Sequence, residues 1–160
     1  MPHKIVTREQ LVSRLPALRA GGAKIVFTNG CFDLMHIGHT RYLQAARALG
    51  DLLIVGVNSD ASVRSLEKAP DRPIVPEAQR AEVLAALGCV DFVVLFPEPD
   101  PRALIAAVQP DILVKGGDWP PDRIVGRDIV EARGGLVTTI PLVPGHSTTA
   151  LIHRIRSTHA

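Results

Sequence analysis

The chain has 160 residues, 46% apolar and 21% charged, the length and balance of one soluble globular domain with a core of its own. A formal net charge of +2 gives no argument for nucleic acid, although 18 Lys and Arg can still gather around an anionic substrate. No apolar run nears the roughly 20 residues that span a bilayer, the opening MPHKIVTREQ has no apolar core of the secretory type, and Cys31 and Cys89 form neither a CxxC pair nor a disulfide framework. A cytoplasmic protein with no membrane or nucleic-acid partner is expected.

In chain order, Thr7 and Gln10 fit a capping box and predict a leading helix near 8–19, within a segment 1–22 that packs on the rest. Pro16 is expected to kink that helix or cut it short. The runs 24-KIVFT-28, 52-LLIVGV-57, 92-FVVLF-96, 112-ILV-114 and 136-LVTTI-140 are short, rich in Val, Ile and Leu, and lack polar alternation, as strands buried on both faces do. Helices are predicted between them. One covers 38–49 and ends at Gly50 as a left-handed cap. Another covers 76–87, with Pro76 in its first position. Others cover 101–108, 123–133 and about 148–157. The alternation predicts a single α/β domain over 1–160: a Rossmann-like open parallel sheet of about five strands with helices on both faces.

Ligands of such sheets bind beyond the carboxyl ends of the strands. Three segments are therefore expected on one rim: Asn29 to His39, 115-KGGDW-119 and 141-PLVPGHSTT-149. In the first, His36 and His39 lie about one turn apart where a strand passes into a helix. Free N–H groups at that helix start attract phosphate, Gly38 allows close approach, and imidazoles can donate to phosphoryl oxygens. Capping alone, a metal site and a Cys31 nucleophile are the rivals. Zinc usually needs a third and fourth protein ligand, and no second Cys/His cluster is evident.

The stretch 30-GCFDLMHIGH-39 resembles the GxFDxxHxGH signature of the cytidylyltransferase-like nucleotidyltransferase superfamily, and 147-STTALIHRI-155 resembles its second signature. The segments 25-IVFTNGCFDLMHIGHTRYL-43, 53-LIVGVNSDASV-63, 72-RPI-74, 79-QR-80 and 113-LVKGGDW-119 resemble the adenylyltransferases of ADP-heptose synthesis, over nearly the whole chain. In many bacteria that enzyme is fused to a sugar kinase; with no kinase half present, a stand-alone form is expected. The loop 64-RSLEKAPDRP-73 departs from the usual pattern by being more acidic and longer.

The resemblance implies transfer of AMP from ATP to a heptose 1-phosphate, with release of pyrophosphate, in lipopolysaccharide core synthesis. It assigns His36 and His39 to the triphosphate as catalytic groups, with His39 nearest the α-phosphate. Thr28, Asn29, Gly30, Phe32, Gly38, Gly116, Asp118, Ser147, Thr148, Thr149 and, less directly, Arg154 are expected at the nucleotide. Lys68, Arg72, Arg80 and Lys115 are expected at the acceptor; Arg80 on a solvated face, and a surface role for Lys68 and Arg72, are the bland alternatives. Trp119 shields the base or simply packs. His146 departs from the small or apolar residue usual before the second signature and receives no role. Mg²⁺ is expected through the ATP phosphates, with no protein metal site. A homo-oligomer, dimer or larger, and a separate upstream sugar kinase are also implied. The alternatives are a glycerol-3-phosphate cytidylyltransferase or a related enzyme, and a non-catalytic nucleotide-binding module.

Overall fold

The computed structural model describes residues 2–66, 71–117 and 119–158. Five strands, β1 (Ile25–Gly30), β2 (Leu52–Asn58), β3 (Phe92–Phe96), β4 (Ile112–Gly116) and β5 (Leu136–Ile140), form one sheet in the order β3-β2-β1-β4-β5. Every pairing is parallel. At the β3 edge, Ile5 bridges Val93 and the Val6 N–H donates to the Val93 carbonyl. Among the described residues, seven α-helices connect and cover the strands: α1 (Arg8–Ala20), α2 (Ile37–Arg47), α3 (Asp60–Ser65), α4 (Glu77–Ala86), α5 (Arg102–Val108), α6 (Arg127–Glu131) and α7 (Thr148–Ser157).

The two-fold alternation of side chains along each strand divides the core between the faces. Val26, Val55, Val57 and Val114 point to one face, against Leu43 and Ala46 of α2 and Leu84 and Ala85 of α4. Ile25, Phe27, Ile54 and Leu113 point to the other, against Leu11 and Leu15 of α1 and Leu104, Ile105 and Val108 of α5. That is why the strand runs carry no polar alternation.

Several boundaries differ from the predicted ones. The capping box on α1 forms, with Gln10 N–H on Thr7 Oγ1 at 3.2 Å and Thr7 N–H on Gln10 Oε1 at 2.9 Å. Yet Pro16 does not end the helix, which runs on to Ala20. Val12 and Pro16 are both exposed, so the carbonyl that loses its donor lies on the solvent side while Leu11 and Leu15 hold the buried side. α2 ends at Ala48 with ordinary right-handed geometry, and Gly50 is not its cap. Gly50 serves close approach instead: a Cβ there would sit 2.7 Å from the Lys24 carbonyl oxygen. Pro76 is the N-cap of α4 and not its first helical residue. The helix predicted over 123–133 is divided into a 3₁₀ turn at Pro121–Arg123 and the short α6, because Gly126 takes φ +84° against Ile105. α3 was not anticipated; the Ser59 hydroxyl caps it by accepting from Ser62 N–H at 3.1 Å.

From β1 the chain proceeds to β2 and β3 on one side, then returns to place β4 and β5 on the other. The switch point lies between β1 and β4, where loops leaving neighbouring strands diverge and open a crevice.

Candidate active site

A cavity of about 260 Å³ occupies that crevice, beyond the ends of β1 and β4 and beside the start of α7. The two histidines lie on it for a local reason. His36 is the N-cap of α2, in extended geometry, and its Nδ1 accepts from Gly38 N–H at 3.1 Å. With Nδ1 acting as acceptor, the ring proton belongs on Nε2. His39 follows one turn later, its ring centroid 4.0 Å from that of His36 and 5.5 Å from that of Phe32. Burial, followed by the neighbouring His36, depresses the His39 imidazole to about 4, so it is neutral at pH 7. Burial, then the charge of His146, also lowers His36. His39 Nδ1 is buried with no hydrogen-bond partner among the described residues.

The start of α2 offers imidazoles more than amides. Gly38 N–H is taken by His36 Nδ1, and the N–H groups of His39 and Thr40 both reach the His36 carbonyl. The expectation of free N–H groups there fails for Gly38 and His39, because the cap is built from a residue of the motif itself.

Asn29, Gly30, Phe32, Gly38, Gly116, Ser147 and Thr148 line the cavity with the two histidines. Phe32 holds φ +49°, uncommon for a bulky residue, and its ring covers Gly30, where a Cβ would lie 3.1 Å away. The Ser147 hydroxyl caps α7 through Ala150 N–H at 3.0 Å. Thr148 Oγ1 donates to the Leu34 carbonyl at 3.3 Å, tying α7 to the histidine loop.

Thr28 is placed differently. It is fully buried, its hydroxyl is 2.6 Å from Tyr42 Oη, and Tyr42 donates onward to the Val114 carbonyl, so the side chain braces β1 and β4 from behind the cavity. Burial, partly offset by the Thr28 hydroxyl, pushes the Tyr42 phenol up to about 12. Thr149 and Arg154 are exposed and do not line the cavity; Arg154 lies in the last turn of α7. Lys115 Nζ donates to Asn29 Oδ1 at 2.5 Å, across the switch point. Trp119 is 54% exposed. Lys68 and Asp118 lie outside the described residues.

Arg80 is the clearest correction among the expected acceptor ligands. Its guanidinium is fully buried, which rules out a solvated face, and its donors turn inward. Nε meets the Val75 carbonyl at 2.9 Å, Nη1 the Cys31 carbonyl at 2.5 Å and Nη2 Asp60 Oδ1 at 2.8 Å. Arg72 pairs with Asp33, Nε to Oδ2 at 2.5 Å, and is only 10% exposed. The Asp33 carboxylate also accepts from the N–H groups of Ile74 and Val75, at 2.9 and 2.8 Å to Oδ1. Burial alone would raise its pKa, but the Val75 and Ile74 amides and Arg72 together outweigh that and hold it below the usual carboxylate range. Asp33 and Arg80 thus staple residues 72–75 to the loop carrying the histidines.

Tyr42, Leu142, Val143 and His146 also line the cavity; the last three belong to the segment 141–149 expected on the rim, where none of them was given a role of its own. Tyr42 had a visible signal, standing three residues after His39 on the same helix face. Leu142 had only its place in the 141–149 segment: it is 60% exposed, yet its methyls stand over Gly116 and Gly117, 3.1 and 3.2 Å from where their Cβ atoms would be.

A family model described as cytidylyltransferase-like matches residues 27–154. The bifunctional proteins HldE of Syntrophotalea carbinolica and Trichlorobacter lovleyi are each 57% identical to this chain over 152 residues, 95% of its length. The chain spans 31% of the length of each of these relatives. Among solved structures, a lipopolysaccharide core biosynthesis protein from Thermoplasma volcanium is 30% identical with a TM-score of 0.61, over 76% of this chain and 98% of that one. The family match takes in both histidines, both ends of the crevice and the Ser147-Thr148-Thr149 cap, and the chain belongs to the cytidylyltransferase-like family.

Proposed function

We propose that the protein is an adenylyltransferase that moves AMP from ATP to D-glycero-β-D-manno-heptose 1-phosphate, forming ADP-heptose and pyrophosphate for lipopolysaccharide core synthesis. One observation carries the nucleotidyl-transfer reading. Two imidazoles at the start of α2, their ring centroids 4.0 Å apart, share a single cavity with the capped start of α7. The acceptor is supported by the resemblance of 72-RPI-74 and 113-LVKGGDW-119 to adenylyltransferases of ADP-heptose synthesis.

In this reading a phosphate oxygen of the sugar phosphate attacks the α-phosphorus of ATP in line with the departing pyrophosphate. The nucleophile is already an anion, so no general base is needed. The protein brings two polyanions together and steadies the charge that grows on the α-phosphoryl and leaving oxygens. His36 Nε2–H donates to a phosphoryl oxygen, with Nδ1 locked on Gly38. His39, neutral in the free protein, meets the α-phosphate, whose charge favours its protonation as the reaction proceeds. The N–H group of Thr148 and the Ser147 hydroxyl receive the outer phosphates. The Thr148 hydroxyl, committed to Leu34, instead fixes α7 against the histidine loop. Lys115 and Asn29 stand between nucleotide and acceptor. Arg72 belongs to the acceptor side, reaching the sugar phosphate from its pairing with Asp33. Mg²⁺ neutralises and orients phosphate oxygens when it is bound. In this reading the ion arrives with ATP, held through the phosphates. A cytoplasmic setting, a dimer or larger assembly, and a sugar kinase that supplies the acceptor complete the proposal. Among the described residues no helix is long and apolar enough to cross a membrane.

The test measures pyrophosphate release with ATP and with CTP, against heptose 1-phosphate and glycerol 3-phosphate. ATP with the heptose phosphate is expected to be fastest. A faster reaction of CTP with glycerol 3-phosphate overturns the assignment of base and acceptor. His39→Ala is expected to lower turnover by about 10²–10³-fold; nucleotide binding with unchanged turnover in that variant removes the histidine mechanism.

A further inference from the structure

Beyond His36 and His39, a third imidazole borders the same cavity. His146 follows Gly145, whose φ of +75° closes the turn marked by His146 N–H on the Val143 carbonyl, and directly precedes Ser147, the cap of α7. The turn sets its backbone against the start of α2: a Cβ on Gly38 would stand 3.7 Å from the His146 carbonyl oxygen. Its side chain is exposed at the lip, lines the cavity, and is close enough for its charge to be felt by His36.

The charge balance of the cavity gives this position its meaning. Among the described residues that line it there is no lysine and no arginine. The cations around it already have partners: Lys115 is held on Asn29 at the cavity wall, Arg72 on Asp33, and Arg80 inside the protein. His39 is neutral in the free protein, and the N–H groups of Gly38 and His39 at the start of α2 already have partners. A triphosphate carries several negative charges and cannot be held in a poorly solvated cleft without donors or cations to meet them. The lip residue is the remaining imidazole, and it adjoins the cap that would receive the outer phosphates.

We propose that His146 is a ligand of the β- and γ-phosphates, a third imidazole that anchors the departing pyrophosphate while His39 serves the α-phosphate. The proposal rests on the nucleotidyl-transfer reading and deepens it. An exposed charge-assisted contact of this kind corresponds to a loss of about 5- to 20-fold in affinity when removed.

The experiment titrates the full chain and its His146→Ala and His146→Gln variants, with Mg²⁺ present, against ATP, inorganic pyrophosphate and AMP by calorimetry, alongside steady-state kinetics. His146→Ala is expected to weaken ATP and pyrophosphate by about 5- to 20-fold. It should leave AMP affinity and the thermal midpoint unchanged and raise the KM for ATP more than it lowers kcat. His146→Gln, which keeps a neutral donor, is expected to recover part of the loss. Unchanged pyrophosphate affinity in His146→Ala overturns the proposal, and so does an equal loss for AMP and ATP, which would mark a general disturbance of the turn. A wild-type chain that binds neither ATP nor pyrophosphate overturns the nucleotidyl-transfer reading and this inference with it. Wild-type binding and turnover with an unaffected His146→Ala variant removes this inference alone.

Discussion

Replacing Arg80 by methionine separates a structural guanidinium from a substrate ligand. Methionine keeps an unbranched stem inside the protein and removes the fork that joins the Cys31 carbonyl, the Val75 carbonyl and Asp60. Each of the two carbonyls loses a charge-assisted donor, a loss of about 1.5–3 kcal/mol apiece. Part of that returns because a buried cation no longer has to be desolvated. Asp60 is 26% exposed, so water can replace its partner there. The net destabilisation is about 2–4 kcal/mol. At about 2–4 °C per kcal/mol for a chain of this size, the melting temperature should fall by roughly 4–16 °C. Urea unfolding followed by circular dichroism measures it, with the midpoint lowered and the slope unchanged. Turnover well below the new melting point should fall too, because Cys31 belongs to the loop that carries Phe32 and the histidines. The reasoning is refuted if Arg80→Met unfolds within about 0.5 kcal/mol of the wild type while the KM for the sugar phosphate rises. That result would return Arg80 to the acceptor site.

Gly38→Ala places a Cβ 2.8 Å from the His36 ring, so the imidazole must leave its capping bond and shift; turnover should drop at least about 10-fold with little change in thermal midpoint, since alanine suits a helix. In an NMR titration His39 should protonate near pH 4 in the free protein and at higher pH once ATP is bound. The unfolded chain takes up this proton near pH 6.5 and the folded chain only near 4. The contribution is therefore complete above about 6.5 and shrinks as pH falls toward 4, and a His39→Asn variant should flatten the stability–pH curve across that window. Asp33→Asn removes the charge that holds Arg72 and weakens the acceptor of the Ile74 and Val75 amides. It should destabilise by about 2–4 kcal/mol at pH 7. Its lowered pKa means that the wild-type advantage is present above about pH 4 and is lost under stronger acid.

The sequence by itself determined the architecture and marked the rim on which the candidate site lies. Five short runs without polar alternation could only be strands covered on both faces, and strands separated by helical segments had to lie parallel. A parallel sheet of this kind puts its ligands at the carboxyl ends, which marked the histidine motif and the Ser147-Thr148-Thr149 cap as neighbours 108 residues apart. Local chemistry was legible wherever both partners stand within one turn, as with Thr7 and Gln10. Tertiary structure alone decided the roles of the charged residues. Arg80, Arg72 and Lys115 read alike as candidate phosphate ligands, because a formal charge does not say what faces it. Only the fold brings Cys31 and Val75 carbonyls, Asp33 and Asn29 to meet them, across separations of up to 86 residues. It likewise turned the Thr28 hydroxyl away from the cavity and carried His146 to its lip. Short-range geometry is written in periodicity and caps, whereas the partner of a buried charge depends on which distant segments the packed sheet places beside it.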